Sequence, residues 1–219
     1  MAKSLARERP SFRCNECGWT AGKWVGRCGE CQAWGTVVDA SSPTVRTTAA
    51  GPVSAPARPI ADVDVEAARS RPTGVSELDR VLGGGLVPGS VVLLAGEPGV
   101  GKSTLLLDVA ARFAESGRAL YVTAEESAAQ VRLRADRIGA LHDDLFLAAE
   151  TDLAAVLGQI DDVKPDLLVV DSVQTVASAE VDGSPGNVSQ IREVAAALIR
   201  VAKERGIATV LVGHVTKDG

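Results

Sequence analysis

Two groups of residues in this 219-residue chain have types and spacing that can do chemistry. The first is Gly96-Glu97-Pro98-Gly99-Val100-Gly101-Lys102-Ser103, followed by Thr104. It fits G-x-x-x-x-G-K-[ST], the phosphate-binding loop pattern. In such a loop the glycines let backbone N–H groups turn inward onto phosphate oxygens. Lys102 would reach the β- and γ-phosphates of ATP, and the Ser103 hydroxyl would ligate Mg2+. The second group is Cys14-x2-Cys17 and Cys28-x2-Cys31, two CxxC knuckles ten residues apart. Tight turns of this kind offer four thiolates to one Zn2+ in a tetrahedron. Disulfides are the competing reading. They need an oxidising compartment, and the N-terminal MAKSLARERP has no apolar run behind its charges that would make it a secretory signal. A redox CxxC would need one pair beside a βαβ unit.

The elements around the loop suit its chemistry. Val91 to Ala95 reads as a buried strand and Thr104 to Ala114 as a helix, so the loop ends a strand and opens a helix, whose N-terminus favours anions. Ala119 to Thr123 reads as the next strand, running into Glu125 and Glu126. Glu125 there either orients the water attacking the γ-phosphate or is an acid preceding a helix N-terminus. Ser127 caps a helix to Ile138, with Gln130 completing a capping box and Gly139 ending it. Residues 144–148 read as a weak strand. Thr151 caps a helix with Leu153, Val156, Leu157, Ile160 and Val163 on its apolar face, and Pro165 stops it. Leu167 to Asp171 is a continuous apolar strand ending in an acid, which places Asp171 to hold Mg2+. After a polar loop over 176–186, Asn187 caps a long helix, with Gln190 at the capping-box position. A strand from Ile207 to Val212 leads to His214, either a γ-phosphate sensor or a structural histidine.

Strands alternate with helices, which predicts an α/β fold with a mainly parallel sheet covered on both faces. Apolar residues make up 46% of the chain, enough for a core, and the net charge of −5 implies no global attraction to nucleic acid. No apolar run approaches 18 residues, so no membrane span is expected, and the default compartment is the cytoplasm. The expected organisation is a zinc ribbon over 1–38, a flexible Pro/Ala/Ser/Thr-rich linker over 39–62 and an ATPase core over 63–219. Phe12, Trp19, Trp24 and Trp34 are expected to pack around the knuckles, with Gly18 and Gly29 easing the turns. Over 1–35, six basic residues face three acidic ones, a balance of +3 nearly cancelled by a four-thiolate zinc site. Such a ribbon binds nucleic acid, binds protein or braces a fold. A short capped helix is expected over Ser76 to Leu82, before Gly83-Gly84-Gly85 turns into the loop strand. The sequence stops soon after a strand, with no closing helix, as in a C-terminally truncated domain.

Several signatures occur in one order: Phe12-x-Cys14-x2-Cys17-Gly18-x5-Trp24-x-Gly26-x-Cys28-x2-Cys31-x2-Trp34-x-Thr36, Thr73-Gly74-x3-Leu78-Asp79-x2-Leu82-Gly83-Gly84-Gly85, the phosphate loop, Glu125-Glu126-Ser127, Asp171-Ser172-Val173-Gln174-Thr175, Pro185-Gly186-x3-Gln190-x-Arg192-Glu193 and Gly213-His214-Val215-Thr216-Lys217. Together they resemble the bacterial RadA (Sms) family of RecA-like DNA repair ATPases, over nearly the whole chain outside the linker. The resemblance implies a RecA-like fold and ATP hydrolysis coupled to single-stranded or branched DNA. It also implies recombinational repair and branch migration alongside RecA recombinase, in a homo-hexameric ring. Glu125 matches the family's catalytic glutamate, with Lys102 beside it. The loop over 176–186 matches a DNA-facing loop, which would bring Gln190 and Arg192 near DNA. Family members continue into a Lys-Asn-Arg-Phe-Gly motif and a Lon-protease-like domain absent from this sequence. Hydrolysis in this chain alone is therefore expected to be weak. A nucleotide-gated recruitment module with little turnover is the alternative. A regulatory ATPase of the circadian-clock type is a third reading, which the ribbon argues against.

Overall fold

The computed structural model describes residues 12–39, 56–63 and 65–215. The chain divides into two compact units between Arg58 and Pro59. In the first, β1 (Phe12–Cys14) pairs antiparallel with β2 (Thr20–Ala21) on one side and β3 (Val37–Asp39) on the other. Its apolar core is small: Cys14, Cys28 and Val37, with Phe12, Trp19 and Val25 packed against them. Most of the expected linker, 40–55, lies outside the described residues. At its two ends the structure is more regular than expected, since Asp39 closes β3 and Ile60–Asp62 form a 3-10 turn.

The second unit contains α1 (Ser76–Val81), β4 (Val91–Gly96), α2 (Lys102–Ala114), β5 (Ala119–Thr123), α3 (Ala128–Ile138), β6 (Leu145–Ala149), α4 (Leu153–Val163), β7 (Leu167–Asp171), α5 (Val188–Arg205) and β8 (Ala208–His214). The five strands form one parallel sheet in the order β4-β8-β7-β5-β6. Every residue of β5 and β7 is buried, which explains their unbroken apolar sequence. Alternate residues of these strands serve opposite faces. Ala119, Tyr121, Leu167 and Val169 join Leu106, Val109, Phe113 and Val131 from α2 and α3. Leu120, Val122, Leu168 and Val170 join Val156, Ile160, Val194 and Leu198 from α4 and α5. The prediction of an α/β parallel sheet clothed on both faces holds.

Helix starts test the sequence reading in detail. The Ser127–Gln130 capping box is present, with Gly139 left-handed at the C-cap. Three other caps differ. Asp152, not Thr151, caps α4, its carboxylate accepting from Ala155 N at 3.0 Å. Asn187 precedes α5 without a side-chain cap bond. At α1 the N-cap is Val75, again without one. There Asp79 turns back to accept from Thr73 N at 2.7 Å, and the Thr73 hydroxyl accepts from Val75 N. Gly85 allows the entry to β4. Its φ is +128°, and a Cβ would lie 2.1 Å from the Arg71 carbonyl oxygen, so no other residue fits without moving the backbone.

Candidate nucleotide site and metal-binding ribbon

The phosphate loop joins β4 to α2. Gly99 and Gly101 both have positive φ, at 80° and 95°, and Gly101 is the N-cap of α2 with no side chain to cap it. The first N–H groups of α2 thus have no side-chain cap, which suits an anion there. Lys102 is only 8% exposed, and its ammonium donates to the carbonyls of Gly96 and Glu97, each at 2.8 Å. An ammonium has three donors. Two are held by the loop itself, which keeps the side chain aimed across it.

Parallel pairing gathers the remaining groups at the carboxyl edge of the sheet, where ligands bind in open α/β folds. Thr123 of β5 pairs with Asp171 of β7, and Gly96 of β4 pairs with His214 of β8. Asp171 is 6% exposed. The buried Tyr121 hydroxyl donates to its Oδ2 at 2.6 Å, whereas Oδ1 is buried with no partner among the described residues. Burial, then the neighbouring Asp171 charge, push the Tyr121 hydroxyl far above its ordinary pKa, so it stays a donor. A buried carboxylate oxygen lacking a partner suits a hard cation, and Ser103 at the head of α2 supplies a second oxygen of the right kind. Tyr121→Phe strips this carboxylate of the one side-chain donor it has among the described residues. The expected cost is about 1–3 kcal/mol, read as a lower urea midpoint with an unchanged m-value.

Glu125 and His214 meet. His214 Nε2 lies 2.9 Å from Glu125 Oε1, and the Ser172 hydroxyl donates to the same oxygen at 2.6 Å. Ser172 is fully buried and follows Asp171 through a cis peptide. Gln174 brackets the His214 backbone, donating to its carbonyl at 2.8 Å and accepting from its N–H at 2.9 Å. Glu126, by contrast, is engaged by Arg134 through both carboxylate oxygens. The two adjacent acids are therefore in different environments: one at the edge of the site, the other in an ion pair with α3. Sequence reasoning assigned no role to Ser172, Gln174 or Tyr121. The Asp-Ser-Val-Gln-Thr run was the available signal for the first two; nothing local marked the third.

Gln190 departs from expectation. It is 1% exposed and turned inward, donating to the carbonyls of Ser178, Val181 and Gly183 and accepting from Ser178 N. It braces the 176–186 loop from inside, serves neither as a capping-box partner nor as a DNA-facing group, and its side chain is not available to DNA. Arg192 is exposed on α5.

In the ribbon, the four thiol sulfurs lie within 4.8 Å of one another. Cys14 and Cys31 are 3.7 Å apart and Cys17 and Cys28 are 3.5 Å apart. Zinc–sulfur bonds of 2.3 Å give tetrahedral edges of about 3.8 Å, so the donor set fits Zn2+, and all four cysteines are free. The Thr36 hydroxyl, 3.2 Å from Cys14, is the main influence lowering that thiol to about 6. Of the expected aromatic packing, Phe12 and Trp19 line the core, but Trp24 and Trp34 are 64% and 75% exposed. Gly18 has positive φ, as a turn requires. Gly29 does not; a Cβ there would lie 2.6 Å from the Trp19 ring, so its role is to admit that ring.

Comparison with known proteins agrees with both units. Residues 55–219 match the AAA domain family, and residues 12–39 match the rubredoxin metal binding domain. The chain is 56% identical over 222 residues to the DNA repair protein RadA of Mycolicibacterium smegmatis, covering 96% of this chain and 48% of the relative. It is 55% identical to DNA repair protein RadA of Mycobacterium tuberculosis H37Rv, covering 98% and 46%. For DNA repair protein RadA of Streptococcus pyogenes serotype M1 the identity is 45%, covering 98% and 48%. The chain spans about half the length of these curated relatives. With a phosphate loop at the edge of a parallel sheet and a four-cysteine ribbon ahead of it, the chain belongs to the AAA domain family and is similar within it to the bacterial RadA DNA repair proteins.

Proposed function

We propose that the second unit hydrolyses ATP and that the chain acts on DNA in recombinational repair. The observation that carries the hydrolytic reading is the convergence of Lys102, Asp171, Glu125 and His214 on one sheet edge. Lys102 holds the β- and γ-phosphates. Ser103 and Asp171 would hold Mg2+, which neutralises charge developing on the transferred phosphoryl group. Glu125 orients the attacking water and accepts its proton. Ser172 fixes the Glu125 carboxylate. His214, beside the phosphate-loop strand and in contact with Glu125, reports the γ-phosphate. Through Gln174 that report reaches the turn after β7. Four cysteines of the ribbon, Cys14, Cys17, Cys28 and Cys31, hold Zn2+.

The similarity to RadA supports the coupling to DNA. In this reading the substrate is single-stranded or branched DNA, the protein partner is RecA recombinase, and the working form is a homo-hexamer in the cytoplasm. Arg192 lies toward DNA on α5. Among the described residues no helix is long and apolar enough to cross a membrane. The test is ATPase rate with no DNA, single-stranded DNA and forked DNA, for this chain and for a version extended to the relatives' length. DNA-stimulated turnover in the extended version is expected. Binding of ATP with no stimulated turnover in either version would leave a nucleotide-gated recruitment module instead.

A further inference from the structure

The ribbon exposes two large aromatic side chains that its core does not use. Trp24 and Trp34 are the most exposed large apolar residues of the ribbon, and beside them only Val38 is of that class among its described residues. They are close together. Arg27 and Trp34 form an antiparallel bridge, and Gly35 N donates to Gly26 O at 2.8 Å, so Trp34 is held across from Gly26, two residues after Trp24. Both rings lie beside Gly26. A methyl placed on Gly26 would lie 3.7 Å from Cη2 of Trp24 and 3.8 Å from Cζ3 of Trp34. Cη2 of Trp24 and Cζ3 of Trp34 therefore stand no further apart than about 7.5 Å, close enough for one strand to meet both rings. The Arg27 guanidinium sits 5.7 Å from the Trp34 ring centroid and is pinned by its Nε donating to Gln32 O at 2.9 Å. Exposed Lys23 is the neighbour of Trp24.

We propose that Trp24, Trp34 and Arg27 form a stacking site for unpaired bases of single-stranded DNA. The proposal rests on the DNA reading above. A contiguous aliphatic patch would suit a protein partner's apolar face, and the described residues of the ribbon show none. Two aromatic planes with a cation beside them suit a flat, π-faced ligand on a polyanionic backbone. Stacking of this kind is sequence-tolerant, because every base has a π-face.

The experiment reads binding to the zinc-loaded chain and its variants by the anisotropy of a dye-labelled oligo(dT), with the intrinsic fluorescence of the wild type as a second readout. All three tryptophans lie in the ribbon, so their emission reports it alone. Oligo(dT) is expected to quench that emission on binding, and an abasic strand of the same length to quench weakly. Trp24→Ala with Trp34→Ala should weaken oligo(dT) binding by roughly 10- to 100-fold, the range for one or two lost stacking contacts. Trp→Phe at both positions should restore most of the affinity, since Phe keeps the π-face. Zinc content and nucleotide binding should stay unchanged in all variants. Equal binding of oligo(dT) by the wild type and the double Ala variant, or equal binding of abasic and base-bearing strands, overturns the stacking site while leaving DNA binding elsewhere intact. Failure of the wild type to bind any single strand overturns both this site and the DNA reading.

Discussion

Glu125→Gln is expected to reduce ATP hydrolysis by about 10²- to 10⁴-fold, the usual contribution of a positioned proton acceptor, while leaving nucleotide affinity nearly unchanged. The amide keeps the size of the carboxylate and can still accept from the Ser172 hydroxyl 2.6 Å away. What it loses is the ability to take a proton. The neighbouring acid provides the internal control. Glu126 is joined to Arg134 by both oxygens, and Arg134 is mostly buried, so the Glu126 carboxylate is turned toward α3. Glu126→Gln should lower stability, because it leaves a buried guanidinium underpaired, with less effect on turnover per folded molecule. Single-turnover hydrolysis alongside binding of a fluorescent nucleotide separates the two. Equal hydrolysis by Glu125→Gln and wild type would remove Glu125 from the chemical step and assign its carboxylate to holding His214.

Removal of zinc is expected to unfold the ribbon and spare the second unit. Three buried residues, two of them metal-ligating cysteines, cannot offset the entropy of ordering residues 12–39. Structural zinc contributes an apparent 10–16 kcal/mol in small modules of this kind, so the metal dominates their folding. The second unit has its own two-faced core and no cysteine. A strong chelator should therefore red-shift and change the tryptophan emission while most of the helical far-ultraviolet signal persists. Acid should act in the same direction, because protons compete with the metal for thiolates: occupancy falls as pH falls. Cys28→Ser should mimic chelation. Protein prepared without chelator that carries no stoichiometric zinc, or tryptophan emission indifferent to chelation, would contradict this.

Where physical signals are local, the sequence reading and the structure coincide. β5 and β7 have the predicted limits, because strands buried on both faces must be continuously apolar. The Ser127–Gln130 box forms because its partners are three residues apart. Local rules failed where a distant group competed. Gln190 stands at a capping-box position, yet its amide satisfies four backbone groups of the 176–186 loop instead, which is worth more in a buried setting than one helix-end N–H. Asp152 displaced Thr151 as the cap by the choice between two adjacent residues that periodicity cannot resolve. Trp24 and Trp34 were assigned to a core too small to contain them; Trp19 alone occupies the space that Gly29 leaves open.

Chain order alone carries the two chemical motifs, since each is a short loop whose geometry depends on neighbours: positive-φ glycines aiming N–H groups, and paired knuckles converging four sulfurs. It also carries the placement of Asp171 and Glu125 at strand ends. It does not carry which strand ends are adjacent. β8, last in the sheet's chain order, inserts between β4 and β7, and this brings His214 beside the phosphate loop and, across 89 residues, onto Glu125. The same packing sets Tyr121 against Asp171 across 50 residues and Ser172 against Glu125 across 47. Strand order is a property of how the whole sheet closes over its two cores, so the partners of these carboxylates are a tertiary fact, whereas their existence is a local one.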